Sequence, residues 1–118
     1  SRYGQTALYL GLDQRPENGP VSILFRLEEE KHFDGCGGLS MSYSTRNGFS
    51  PLKLSDHTDG LAHTGTILFL PPADMALRKL EGQEAYWLRI EDPDGSLEKG
   101  KKGRPLILGI EINGVEVE

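Results

Sequence analysis

Apolar side chains recur at every second position in one short run after another of this sequence. That period restricts the possible folds more than any other property of the chain. Residues 6–12 set Leu8, Leu10 and Leu12 on one side and Ala7, Tyr9 and Gly11 on the other. Residues 21–27 set Val21, Ile23, Phe25 and Leu27 inward against Ser22 and Arg26, with Leu24 interrupting the polar side. Leu39, Met41 and Tyr43 alternate with Ser40 and Ser42. Tyr86, Leu88 and Ile90 stand opposite Trp87, Arg89 and Glu91. Leu106, Leu108, Ile110 and Ile112 align on one side, and residues 64–70 turn apolar enough for burial on both faces. A period of two is the signature of strands with one face in a core and the other at a surface.

The punctuation between the runs agrees. Asn18-Gly19-Pro20 favours a turn, because Asn and Gly accept positive φ. Arg46-Asn47-Gly48 and Asp94-Gly95 are further turn signals, and Asn113-Gly114 before Val115-Glu116-Val117 predicts a terminal hairpin. The spacing is that of an all-β antiparallel sandwich, jelly-roll or immunoglobulin-like, with roughly seven or eight strands. At most one short helix is expected, near residues 73–81, where Pro72-Ala73-Asp74 precedes Met75, Ala76, Leu77 and Leu80, and Gly82 stands as a stop. A rigid loop is the competing reading of that segment. Residues 98–104 hold no apolar side chain and are expected to form a surface loop.

The chain has 118 residues, one domain's worth, and a single sandwich domain over residues 1–118 is expected. Its formal charge of −5 argues against a duplex or an anionic membrane as partner, since phosphate binding needs positive surface. No apolar run approaches bilayer length. One cysteine leaves neither an intramolecular disulfide nor a multi-cysteine zinc site.

Four local clusters hold reactive residue types. Cys36, with His32 nearby, carries the nucleophile and base of a small thiol hydrolase, but no third orienting group or hydrolase signature surrounds it; a glycine turn with an incidental thiol explains the segment better. Asp56, His57, Asp59 and His63 hold metal-ligand types, but on an extended chain Asp56 and His57 point apart, so an Asx turn capping the amide of Thr58 or Asp59 is expected instead. Asp92-Pro93-Asp94-Gly95 resembles a fragment of a calcium loop without its remaining ligands, and reads as a β-turn. Lys99, Lys101, Lys102 and Arg104 lack the order of a phosphate-binding loop and suit electrostatic docking to a protein. No catalytic residue, cofactor or metal is expected from these clusters.

Taken in order, several segments resemble a family. They are Leu8-Tyr9-Leu10-Gly11-Leu12-Asp13, Gly19-Pro20-Val21-Ser22-Ile23-Leu24-Phe25, Phe49-Ser50-Pro51-Leu52 and Asp56-His57-Thr58-Asp59-Gly60-Leu61. Gly65-Thr66-Ile67, Tyr86-Trp87-Leu88-Arg89-Ile90 and Gly109-Ile110-Glu111-Ile112-Asn113-Gly114-Val115 continue the series. The series resembles a region of the baseplate assembly proteins of phage-tail-like contractile injection systems. It departs from the pattern at Phe49, where tryptophan is expected, and at Gly114, where threonine is expected. The resemblance implies a structural role with no catalytic residues to carry over. It also implies baseplate or tail subunits as protein partners, and cytoplasmic assembly into a phage-tail-like particle. The absence of a start methionine, with an end just past a hairpin turn, reads as a module of a longer chain.

On that reading the contact residues expected are Trp87 and Arg89 on an outer strand face, and Lys101, Lys102 and Arg104 at a loop tip. Aromatic and arginine side chains carry more interface energy than most. Trp87, opposite in facing to Tyr86, is expected to be exposed or covered by a loop or partner. The alternative is a carbohydrate-binding sandwich, which would present two or three of Tyr9, Tyr43, Phe49, Tyr86 and Trp87 as coplanar rings on one concave face.

Overall fold

The structure is a computed structural model, and it describes residues 7–28, 38–91, 106–113 and 115–116. Among the described residues ten strands run in chain order: β1 Ala7–Leu12, β2 Val21–Leu27, β3 Ser40–Thr45, β4 Gly48–Leu52, β5 Ser55–Asp56, β6 Gly65–Phe69, β7 Leu77–Leu80, β8 Gln83–Glu91, β9 Ile107–Ile112 and β10 Val115–Glu116. They form two antiparallel five-stranded sheets, one ordered β1-β8-β3-β4 with β7 also on β8, the other β10-β9-β2-β6-β5. This is an all-β sandwich. Among the described residues there is no helix.

The alternating residues fill the space between the sheets. Val21, Ile23, Phe25 and Leu27 from β2 meet Leu10 of β1, Met41 and Tyr43 of β3, Ile67 and Phe69 of β6, and Leu88 and Ile90 of β8 in one cluster. Phe25, Ile23, Ile67, Leu88 and Ile90 are fully buried. Each such side chain contributes about 1.5–3 kcal/mol through the apolar surface it removes from water.

Three segments depart from the expected pattern. The segment near residues 73–81 is neither helix nor loop throughout, because Leu77–Leu80 pairs with β8. Glu81 and Gly82 both take positive φ, 49° and 82°, and Leu80 faces Gln83, so Gly82 closes a two-residue hairpin rather than ending a helix. In β9 the alternation slips at a bulge. Arg26 faces Gly109 but Leu27 faces Ile107, so Leu108 is skipped. Leu106 and Leu108 are therefore exposed, while Ile110 and Ile112 pack on the core. In residues 64–70, Ile67 and Phe69 are buried but Leu70 is 68% exposed, so double-sided burial does not hold.

Candidate functional site

The outward face of the first sheet gathers the most informative side chains. Register fixes which ones meet. Tyr9 lies opposite Arg89 and Gly11 opposite Trp87 across β1 and β8. Ser42 lies opposite Arg89 across β3 and β8, and Phe49 opposite Ser44 across β4 and β3. Side chains directly opposite share a face, so Tyr9, Phe49, Trp87 and Arg89 form one patch. Tyr9 stands edge-on to both other rings, at 6.2 Å from Phe49 and 6.4 Å from Trp87. The Arg89 guanidinium carbon sits 4.4 Å from the Phe49 ring centre. Its Nε donates to Ser42 Oγ at 3.0 Å and lies 3.5 Å from Glu91 Oε1. Arg89 is thus held flat against the sheet by a ring, a hydroxyl and a carboxylate, with little rotamer freedom left to lose on binding.

Trp87 and Arg89 fall on the outward face, as their spacing predicts, but Trp87 is not an exposed anchor. It is only 8% exposed. Gly11 leaves a hollow on β1, and the indole sinks into it so closely that a Cβ on Gly11 would lie 2.8 Å from Trp87 Cζ3. The indole Nε1 donates to the Arg78 carbonyl at 2.7 Å, which satisfies its one polar group inside the protein. The cover is intramolecular: β7 on one side and Tyr9 on the other. Trp87 acts as the wedge beneath the patch, and the surface belongs to Tyr9, Phe49 and Arg89.

Beneath this face one buried hydroxyl joins β3, β8 and the residue that leads into β7. Ser44 Oγ accepts from the Trp87 amide at 2.9 Å and donates to the Ala76 carbonyl at 2.8 Å, while the Ala76 amide donates to the Ser44 carbonyl at 3.0 Å. Along one edge of β8 the partner changes from β3, which pairs with residues up to Leu88, to β7, which begins at Tyr86. Ser44 supplies the missing ladder bond at that junction.

The acidic and histidine-bearing segment is a structural knot. Asp56 Oδ1 accepts from the Thr58 amide at 2.8 Å and its hydroxyl at 2.6 Å, and Oδ2 accepts from the Gly60 amide at 2.8 Å. Thr58 Oγ1 in turn accepts from the Leu61 amide at 2.8 Å. The expected Asx turn is present, reaching Gly60 rather than Asp59. Among the described residues no group of three His, Cys, Asp or Glu side chains converges as metal ligands. Cys36, His32, the Asp92-Pro93-Asp94-Gly95 segment, and Lys99, Lys101, Lys102 and Arg104 lie outside the described residues.

A groove opens at one end of the sandwich. It is an open groove of about 1330 Å³ with Leu12, Tyr86, Met75, Leu77 and Ile112 among its lining. Arg15 straps its rim by donating to the Ala73 carbonyl at 2.9 Å. Close by, Tyr43 Oη donates to Asp74 Oδ1 at 2.6 Å. That hydrogen bond, burial and the Asp74 charge together push the Tyr43 hydroxyl above its ordinary pKa. Asp13, Gln14, Glu17, Asn18 and Asn113 also line the groove, so its surface is as polar as it is aliphatic.

Only half of the patch follows from local sequence. Trp87 and Arg89 are two apart on one strand, so their shared face is legible. Tyr9 and Phe49 come from distant strands, and only the order β1-β8-β3-β4 brings them together. The outward alternation of Tyr9 was a usable signal; the position of Phe49 was not. Compared with protein-family models, curated protein sequences and solved structures, the chain matches none.

Proposed function

We propose that this chain is a non-enzymatic docking module, and that it serves as a structural domain of a phage-tail-like baseplate assembly protein. In this reading it binds neighbouring baseplate or tail subunits through the outward face of β1, β8, β3 and β4. The observation that carries the docking role is the Tyr9, Phe49 and Arg89 patch, pre-ordered on strands whose other face is core. Such residues, held before binding, lose little entropy on contact and dominate interface energetics. The baseplate assignment rests on the ordered series of segments from Leu8 to Val115.

Protein contact is favoured over sugar stacking by ring orientation. Tyr9 meets Phe49 at 78° and Trp87 at 84°, so these rings give no flat platform for a pyranose face. The test is reconstitution of a contractile tail baseplate from its subunits with Phe49→Ala and Arg89→Ala introduced together. The expected result is at least a tenfold loss of incorporation with the fold intact by circular dichroism. Undiminished incorporation, or failure of the unsubstituted chain to enter any baseplate, refutes the proposal.

A further inference from the structure

Open sheet edges offer unpaired amides and carbonyls to any extended chain, and folded proteins blunt them by shortness, charge or proline. Four edges here are blunted in those ways. β5 and β10 are two residues long, β7 carries Arg78 and Lys79, and β4 contains Pro51. β1 is different. Among the described residues it ends its sheet and pairs with β8 alone, and its six residues Ala7–Leu12 contain no charge and no proline. Among the described residues its outward backbone groups bond to nothing else. Its inward side chains are also incompletely covered. Leu10 is buried, but Leu8 and Leu12 are only half-buried although they pack on the core.

We propose that β1 is a dimerisation edge, which adds the β1 strand of a second copy of this chain antiparallel across a two-fold axis at Leu10. The sequence of the strand selects this occupant. In that register Leu10 meets Leu10 of the second copy, Leu8 meets its Leu12, and Tyr9 meets its Gly11. Even-numbered residues stay inward and odd-numbered ones outward in both copies, so the two sheets join as one. Every inward pair is leucine on leucine, completing the burial that Leu8 and Leu12 lack. Each outward Tyr9, 40% exposed in one copy, faces Gly11 of the other, over which the Trp87 indole lies. Leucine on leucine inward, and Tyr9 against the indole seated on Gly11 twice outward, is the self-complementarity an isologous contact requires. The joined sheet also places the two Tyr9, Phe49 and Arg89 patches side by side. The inference stands whether or not the patch docks on baseplate subunits.

Sedimentation velocity over a concentration series, paired with amide hydrogen exchange of the full chain, tests this. The expected result is a monomer–dimer equilibrium in which the β1 amides exchange more slowly as concentration rises. Tyr9→Lys should weaken the dimer by about tenfold or more, because the aromatic contact is lost and the new charge introduced twice. A monomer at every concentration with unchanged β1 exchange overturns the proposal. A dimer whose β1 amides do not respond to concentration overturns it too, since the contact then lies elsewhere. Protection of β1 that appears only when a different subunit is added replaces the second copy as occupant. If Tyr9→Lys fails to fold, exchange in the unsubstituted chain decides the matter.

Discussion

Replacing Gly11 with alanine should dislodge the only tryptophan in the chain. The added Cβ would lie 2.8 Å from Trp87 Cζ3, 3.1 Å from its Cη2 and 3.1 Å from the Ala85 Cβ. Ordinary carbon contacts begin near 3.4 Å, so the indole must retreat by roughly half an ångström or more. It has little freedom to do so. Its Nε1 is tied to the Arg78 carbonyl at 2.7 Å, and Tyr9 stands against its other side. Overpacking of this kind costs about 1–3 kcal/mol, and loosening a buried hydrogen bond costs about 1 kcal/mol more. Alanine's smaller unfolded-state entropy returns about 0.4–1 kcal/mol. The net is a loss of about 1–3 kcal/mol, or roughly 5–15 °C in Tm for a domain of this size. Because the chain holds a single tryptophan, its fluorescence reports this one site. Emission should move to longer wavelength as the ring leaves its hollow. Gly11→Ala combined with Trp87→Phe should lose less than the two changes added separately, because the smaller ring relieves the clash. Wild-type stability and emission in Gly11→Ala, or strict additivity in the double variant, would show that the wedge is not set by this contact.

Two further outcomes test the scaffold. Gly65→Ala puts a Cβ against the backbone carbonyl of His57, whose amide bonds to the Thr66 carbonyl at 2.8 Å. Backbone cannot yield as a side chain does, so a loss of about 2–4 kcal/mol in urea denaturation is expected, with the segment from Asp56 to Leu61 exchanging its amides fastest. Tyr43→Phe should cost about 1 kcal/mol at neutral pH, since Asp74 is exposed and recovers water. Tyr43 ionises less readily folded than unfolded, so its contribution is complete below the ordinary value near 10 and is lost as pH rises through the raised folded value. The gap between wild type and Tyr43→Phe should therefore close at alkaline pH, and a gap that widens there reverses the assigned direction.

What was legible in the sequence was burial parity within single strands. Val21, Ile23, Phe25 and Leu27 declare their inward face because Ser22 and Arg26 alternate with them and only Leu24 interrupts the polar side. Parity failed where the backbone broke the period. The bulge that skips Leu108 could not be read from Leu106, Leu108, Ile110 and Ile112, which look like a perfect alternation. β7 was hidden for another reason. Leu77 and Leu80 are three apart, a helical spacing, and Gly82 stops a helix as readily as it turns a hairpin. β4 lacks alternation altogether, with Phe49 outward and Pro51 on an edge where proline is tolerated.

The patch and the open edge share one origin that single-strand reading does not reach. Gly11 on β1 admits the Trp87 indole from β8, and the sunk indole leaves Tyr9 as the prominent ring beside it. The same glycine seats the indole where a second strand's tyrosine would meet it. A bulkier residue at position 11 would lift the tryptophan and expose a large apolar ring. It would also disturb the seat against which the second copy's Tyr9 packs. One missing Cβ thus ties the interior wedge, the exposed ring and the dimer register together. Gly11→Ala should therefore weaken self-association as well as stability, even though the residue contributes no side chain to any of them.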